Sequence, residues 1–210
     1  MIFTRHAIPL FASACAAILA TTAGCGGTSS DAGKAGATSS HAPGKSASGI
    51  PTGDPRALVP TDIPTHAPGS CHATSVDPAT TRPDPACTPG ATNPDVTQDN
   101  IHQTVCVAGY TKKIRPPVSY TNALKKQQII EYGYQDTNPS SYEEDHFIPL
   151  SLGGAPTDPR NLWPETGPSP NPKDDVEFKL YKALCADQVT LAAAQQAIVK
   201  DWTTAGDIVP

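Results

Sequence analysis

The residues Glu144-Asp145-His146-Phe147-Ile148-Pro149-Leu150 run through Gly153-Gly154 to Asn161-Leu162-Trp163. This order can gather a carboxylate, an imidazole and an amide around one small site. A neutral imidazole, whose unperturbed pKa is about 6.5, can take a proton from water near neutral pH. A carboxylate beside it can hold a metal ion that stabilises developing charge. The amide can bond the backbone of the intervening loop. Neighbouring residues of an ideal strand point to opposite faces. Asp145 and His146 can therefore meet at one site only at a strand end or a distortion.

The elements that must hold these residues are read from pattern. Thr104 to Val107 reads as a short strand, with Gly109-Tyr110 turning out of it. Arg115-Pro116-Pro117 forces extended backbone. A helix is expected from Asn122 to Tyr132, capped by Thr121 and stopped by Gly133. Phe147 to Leu150 reads as the next strand, Gly153-Gly154 as a turn and Leu162-Trp163 as a second short strand, followed by a Pro-rich loop from Pro164 to Pro172. A helix from Pro172 to Cys185 carries an apolar face of Val176, Leu180 and Leu184. A last helix after Thr190 buries Leu191, Ala194, Ile198 and Trp202.

A strand with Asp-His, a Gly-Gly loop, a strand with Asn-Leu and then a helix resembles the HNH motif of the ββα-metal nucleases, across Glu144 to Trp163. The 15 positions from His146 to Asn161 agree with it. A wider resemblance, to exported actinobacterial HNH-like proteins, takes in Gly109-Tyr110-Thr111, Arg115-Pro116-Pro117, Asn161-Leu162-Trp163-Pro164-Glu165 and Lys173-Asp174-x-x-Glu177. It covers most of the chain from Cys87 onward. The resemblance implies an α+β fold, a small ββα-metal core with additional helices. It implies hydrolysis of phosphodiester bonds in DNA, with RNA as a further candidate. His146 would be the general base, Asp145 a metal ligand, and Asn161 the residue that ties the loop and orients His146.

Many HNH nucleases add a His ligand at the start of the final helix, but no His follows His146 here. Asn171 stands at about that place, as Asn does in some family members. Asp145 with Asn171 would form an oxygen-rich site that suits Mg²⁺ or Mn²⁺ better than Zn²⁺. Asp174 is a second candidate one helical turn in. Asn171 before Pro172, with Asp174 three residues on, is equally an ordinary capped helix start. Arg115 is a phosphate clamp on one reading and, with Lys112 and Lys113, a solvated basic turn on the other. Lys173 and Glu177 are spaced for a helix-surface pair. The rival to a nuclease is a non-catalytic surface lipoprotein that keeps the fold. No protein partner is expected.

The 23 Pro and 16 Gly of the 210 residues exceed the usual share of about 12% and crowd the N-terminal part. The net charge of −5 argues against a broad, non-specific nucleic-acid coat. Residues 1–24 read as a signal peptide: Arg5 and His6, then an apolar run from Ala7 to Ala20 too short for a good membrane span. Thr22-Ala23-Gly24-Cys25 resembles a bacterial lipobox, with Cys25 lipidated and anchored to the outer face of the membrane. Thr22 departs from the usual Leu, so a plain secretory signal is the other reading. Residues 25–85 read as a disordered, low-complexity tether and residues 86–210 as the folded domain. Besides Cys15 in the signal and Cys25, four cysteines remain, Cys71, Cys87, Cys106 and Cys185, an even number that fits an oxidising compartment. The preferred pairs are Cys71–Cys87, closing a short loop, and Cys106–Cys185, tying an early strand to a late helix. A zinc site ranks below them, because no CxxC pair is present.

Overall fold

The computed structural model describes residues 49–54, 60 and 65–210. The expected signal peptide, Cys25 and most of the expected tether lie outside these residues. Among the described residues no helix is long and apolar enough to cross a membrane.

Among the described residues the fold is mixed, with four α-helices and one two-stranded antiparallel sheet. The helices are α1 (Tyr110–Ile114), α2 (Val118–Glu131), α3 (Pro172–Cys185) and α4 (Leu191–Ala205). The strands are β1 (Tyr142–His146) and β2 (Leu162–Thr166), and their register sets Glu143 opposite Glu165, Asp145 opposite Trp163 and His146 opposite Leu162. Short 3₁₀ turns fill the connections. Trp163, Ile148, Leu152, Leu180, Leu184, Ile198 and Trp202 form the main core. Tyr120 and Leu124 of α2 pack on Leu162 of β2 as a smaller cluster.

Two helices start and run as their sequences indicate. Asn171 Oδ1 accepts from Lys173 N at 2.9 Å, and Asp174 Oδ2 accepts from Asn171 N at 3.0 Å, a reciprocal cap on α3. Thr190 caps α4 through Ala193 N, and Leu191, Ala194, Ile198 and Trp202 are its buried stripe. The disulfides are Cys71–Cys87 and Cys106–Cys185, with Cα–Cα distances of 6.0 and 5.6 Å.

Other boundaries move, each for a local reason. Helix α2 begins at Val118 rather than Asn122, because extended Pro117 supplies the non-helical residue before the first turn and Thr121 falls inside. Gly133, at φ +63°, ends it as expected. Thr104 to Val107 is no strand: the N–H groups of Thr104 and Cys106 bond back to Ile101 O and that of Val107 to Thr104 O, as in turns. Strand β1 is Tyr142–His146, not Phe147 to Leu150. The apolar residues after it are buried as a loop that Asn161 ties, while the charged middle of the strand is half-buried among polar partners. Strand β2 continues through Pro164 to Thr166. Pro164 turns its carbonyl to the outer edge, where Tyr134 Oη donates at 3.1 Å, so its missing N–H interrupts no ladder bond.

The folded part also reaches further back than residue 86. Ile50 is buried, and Gly53 N and Thr92 N bond to Thr92 O and Pro51 O, both at 2.8 Å. Cys71 N donates to Glu131 O at 3.0 Å, and Trp202 Nε1 donates to Thr81 O at 2.6 Å. Described residues assigned by composition to the tether are therefore packed. Their contacts are backbone hydrogen bonds and a disulfide, which a count of apolar residues does not register.

Candidate functional site

His146 is the last residue of β1 and is 5% exposed. Its Nε2 lies 2.9 Å from Pro156 O. A carbonyl only accepts, so Nε2 carries the proton and Nδ1 keeps its lone pair. Burial pushes the imidazole pKa down to about 4, against the pull of the Pro156 bond and of Asp145; Arg115 and Lys173 push it down further. The ring is therefore neutral at pH 7, the state a general base needs. Arg115 closes α1, and its exposed side chain is close enough for its charge to act on His146.

Asn161 is 0% exposed and holds the loop from Phe147 to Ala155 in one conformation. Its Oδ1 accepts from Ile148 N at 2.9 Å and Ala91 N at 3.3 Å. Its Nδ2 donates to Ile148 O at 3.0 Å and Ala155 O at 3.1 Å. Phe147 N reaches Asn161 O at 2.8 Å. Gly154 is required where the loop closes on itself, because a Cβ there would stand 1.8 Å from Ile148 O. Gly153, at φ +71°, has left-handed backbone that favours glycine. This loop ends at the Pro156 carbonyl that fixes the imidazole.

Asp145 faces the other way, toward α3. Its Oδ2 accepts from Lys173 Nζ at 2.8 Å and from Trp163 Nε1 at 3.3 Å. Burial pushes its pKa up, but the Lys173 charge and hydrogen bond outweigh this and hold the carboxyl below its ordinary value. Lys173 is 0% exposed. Its Nζ also donates to His146 O at 3.1 Å and to Glu177 Oε1. Burial alone would lower the lysine pKa; Asp145, Glu177 and Glu165 raise it above its ordinary value.

Further carboxylates line this face. Asn171 Nδ2 donates to Glu143 Oε2 at 3.0 Å and Glu165 Oε2 at 3.2 Å. Burial, with Asp145 adding repulsion, pushes Glu165 up to about 9 and raises Glu143. Burial also carries Glu177 up to about 7, against the pull of Lys173.

The expected metal ligands do not fit a divalent ion here. One oxygen of Asp145 is held by an ammonium, and the side-chain oxygen of Asn171 is spent on the helix cap. A divalent ion on Asp145 would stand beside a buried positive charge. Elsewhere, His66, Cys71 and Cys87 bring ligand atoms within 4.8 Å of one another, a group that could hold a metal ion. Both sulfurs are joined in a disulfide, so the group could bind a metal only when reduced, and thiolates do not select Mg²⁺ or Mn²⁺.

Sequence reading placed His146 and Asn161 together, and the structure does the same. It assigned Lys173 and Glu177 to the helix surface, and both are turned inward. The signal was present: 173, 177, 180 and 184 follow one helical stripe, and its last two members are buried leucines. Neither Glu143 nor Glu165 is among the expected site residues, although strand alternation puts both on the Asp145 face. Two cavities, of about 260 Å³ beside Tyr132 and Arg160 and about 520 Å³ beside Thr92 and Leu191, lie away from His146. No family model, curated protein or solved structure matches the chain.

Proposed function

We propose that the chain is an exported HNH-type endonuclease that hydrolyses phosphodiester bonds of DNA, with RNA as a further substrate, and that His146 is its general base. The observation that carries this reading is the His146 tautomer: Nε2–H is given to the Pro156 carbonyl, so Nδ1 is the basic atom of a neutral ring. Water attacks phosphorus as Nδ1 takes its proton, and the bond to the leaving oxygen breaks. Arg115 supplies a guanidinium fork for the phosphate oxygens. Export rests on residues 1–24, lipid anchoring on Cys25, and the two disulfides fit an oxidising compartment.

The resemblance also implies Mg²⁺ or Mn²⁺, but Asp145 Oδ2 is held by Lys173 and Asn171 Oδ1 caps the helix, and no step is assigned to a metal. Plasmid nicking by the full chain, measured in EDTA, Mg²⁺ and Mn²⁺, tests the proposal. His146→Ala is expected to lower the rate about 10²–10⁴-fold while leaving the circular dichroism spectrum unchanged. A wild-type protein that nicks in none of the three conditions, or a variant that nicks as well as wild type, would sink it.

A second reading is a non-catalytic surface lipoprotein that keeps the fold. It is favoured by the Lys173 ammonium on Asp145 and by the near-complete burial of His146.

A further inference from the structure

We propose that the Lys173 ammonium is the resident cation of this hairpin-and-helix site, and that the site takes no divalent metal. An ammonium has three N–H donors and no acceptor. Lys173 has three oxygen acceptors: Asp145 Oδ2 at 2.8 Å, His146 O at 3.1 Å and Glu177 Oε1. All three donors are used, and the side chain is fully buried. Two carboxylates and a carbonyl around one point are the ligand types a hard divalent ion selects. Here they close on a nitrogen that the chain itself provides.

Charge supports the same assignment. Among the described residues, Lys173 is the cation bonded within a group of four carboxyls, Glu143, Asp145, Glu165 and Glu177. An added divalent ion would have to expel a buried ammonium or sit against it, where like-charge repulsion is poorly screened.

The ammonium also performs a joining task. It ties the end of β1 to the first turns of α3 and holds the His146 peptide by its carbonyl. Lys173 is thus a positioning residue for His146, and it does not touch substrate. The assignment holds whether or not the chain cuts nucleic acid.

The test is Mn²⁺ binding to the full, oxidised chain, followed by calorimetry and by Mn²⁺ paramagnetic resonance. Wild type is expected to bind no Mn²⁺ that Asp145→Asn removes. Lys173→Ala is expected to gain one such site, with a Mn²⁺-dependent rise in melting temperature that the Lys173→Ala, Asp145→Asn double variant loses. A wild-type Mn²⁺ site abolished by Asp145→Asn overturns the proposal, as does a folded Lys173→Ala with no site. If Lys173→Ala does not fold, the wild-type titration decides alone. Nicking in EDTA is read separately: its absence there counts against a metal-free phosphodiesterase and leaves the cation assignment standing.

Discussion

Asp145 and His146 are neighbours in sequence, yet they belong to two differently built sides of one hairpin. On the His146 side a neutral ring is held by backbone: the Pro156 carbonyl fixes Nε2, and a loop tied by Asn161 fixes Pro156. On the Asp145 side charges hold one another, with Lys173 between Asp145 and Glu177 and with Asn171 joining Glu143 to Glu165. The first kind of order leaves a basic nitrogen free to act. The second spends every strong donor on keeping helix α3 against the strands. A motif read from residue types does not tell the second arrangement from a metal site, because the same carboxylate can hold a metal or a lysine.

The largest expected effect breaks the His146 side. Gly154→Ala would place a methyl carbon against the Ile148 carbonyl oxygen, an atom fixed by Asn161. The loop must open, and loss of more than about 4 kcal/mol is expected, the range reserved for severe core damage. Urea unfolding of the two proteins measures it; a loss below about 1 kcal/mol would show that the loop is not held as described.

The next effect breaks the Asp145 side. Lys173→Met keeps the buried stem but removes the ammonium, leaving Asp145 and Glu177 without their cation. Removing one partner of a buried pair costs about 3–5 kcal/mol. Lys173→Met, Glu177→Gln should recover part of this loss. An additive double variant would mean that the two side chains are not coupled.

The unequal legibility of the two sides has a physical cause. Helices α3 and α4 were readable because caps and apolar stripes are local, and the loop of Gly153, Gly154 and Asn161 because spacing alone constrains it. Strand β1 was displaced by four or five residues because Tyr142-Glu143-Glu144-Asp145-His146 looks exposed, while Phe147-Ile148-Pro149-Leu150 looks like a buried strand. What buries the charged strand is Lys173 and Asn171, 28 residues away from Asp145 and Glu143. No local pattern announces such a partner. Lys173 continues the Leu180 and Leu184 stripe, but a lysine in a stripe is ordinarily read as its solvated edge. Folded residues before position 86 escaped for a related reason: their bonds go to groups distant in sequence, Thr92, Glu131 and Trp202 among them.

The smallest effect concerns pH, and the two sides act with opposite sign. His146 has a folded pKa of about 4, below its ordinary value of 6.5. Between those values the unfolded chain binds a proton that the folded chain refuses, so stability falls as pH drops through this window. The loss is on the order of 3 kcal/mol at its acid end. The charges of Asp145, Arg115 and Lys173 act on the ring. Glu165, at about 9 against an ordinary 4.5, behaves the other way. Between those values the folded chain holds a proton that the unfolded chain releases, so stability falls as pH rises. Burial drives this shift, Asp145, Glu177 and Glu143 add to it, and Lys173 opposes it. The two windows overlap between about 4.5 and 6.5, where the effects oppose each other, and of the two only Glu165 acts from there to about 9. Glu165→Gln should therefore flatten the fall of melting temperature between about 6.5 and 9 and uncover, below 6.5, the acid loss that His146 causes. His146→Gln should remove that acid loss and leave the change between about 6.5 and 9 as in wild type. If His146→Gln also altered the limb above 6.5, the two sides would be one titrating unit, and the separation of a backbone-held imidazole from a charge-held helix would fail.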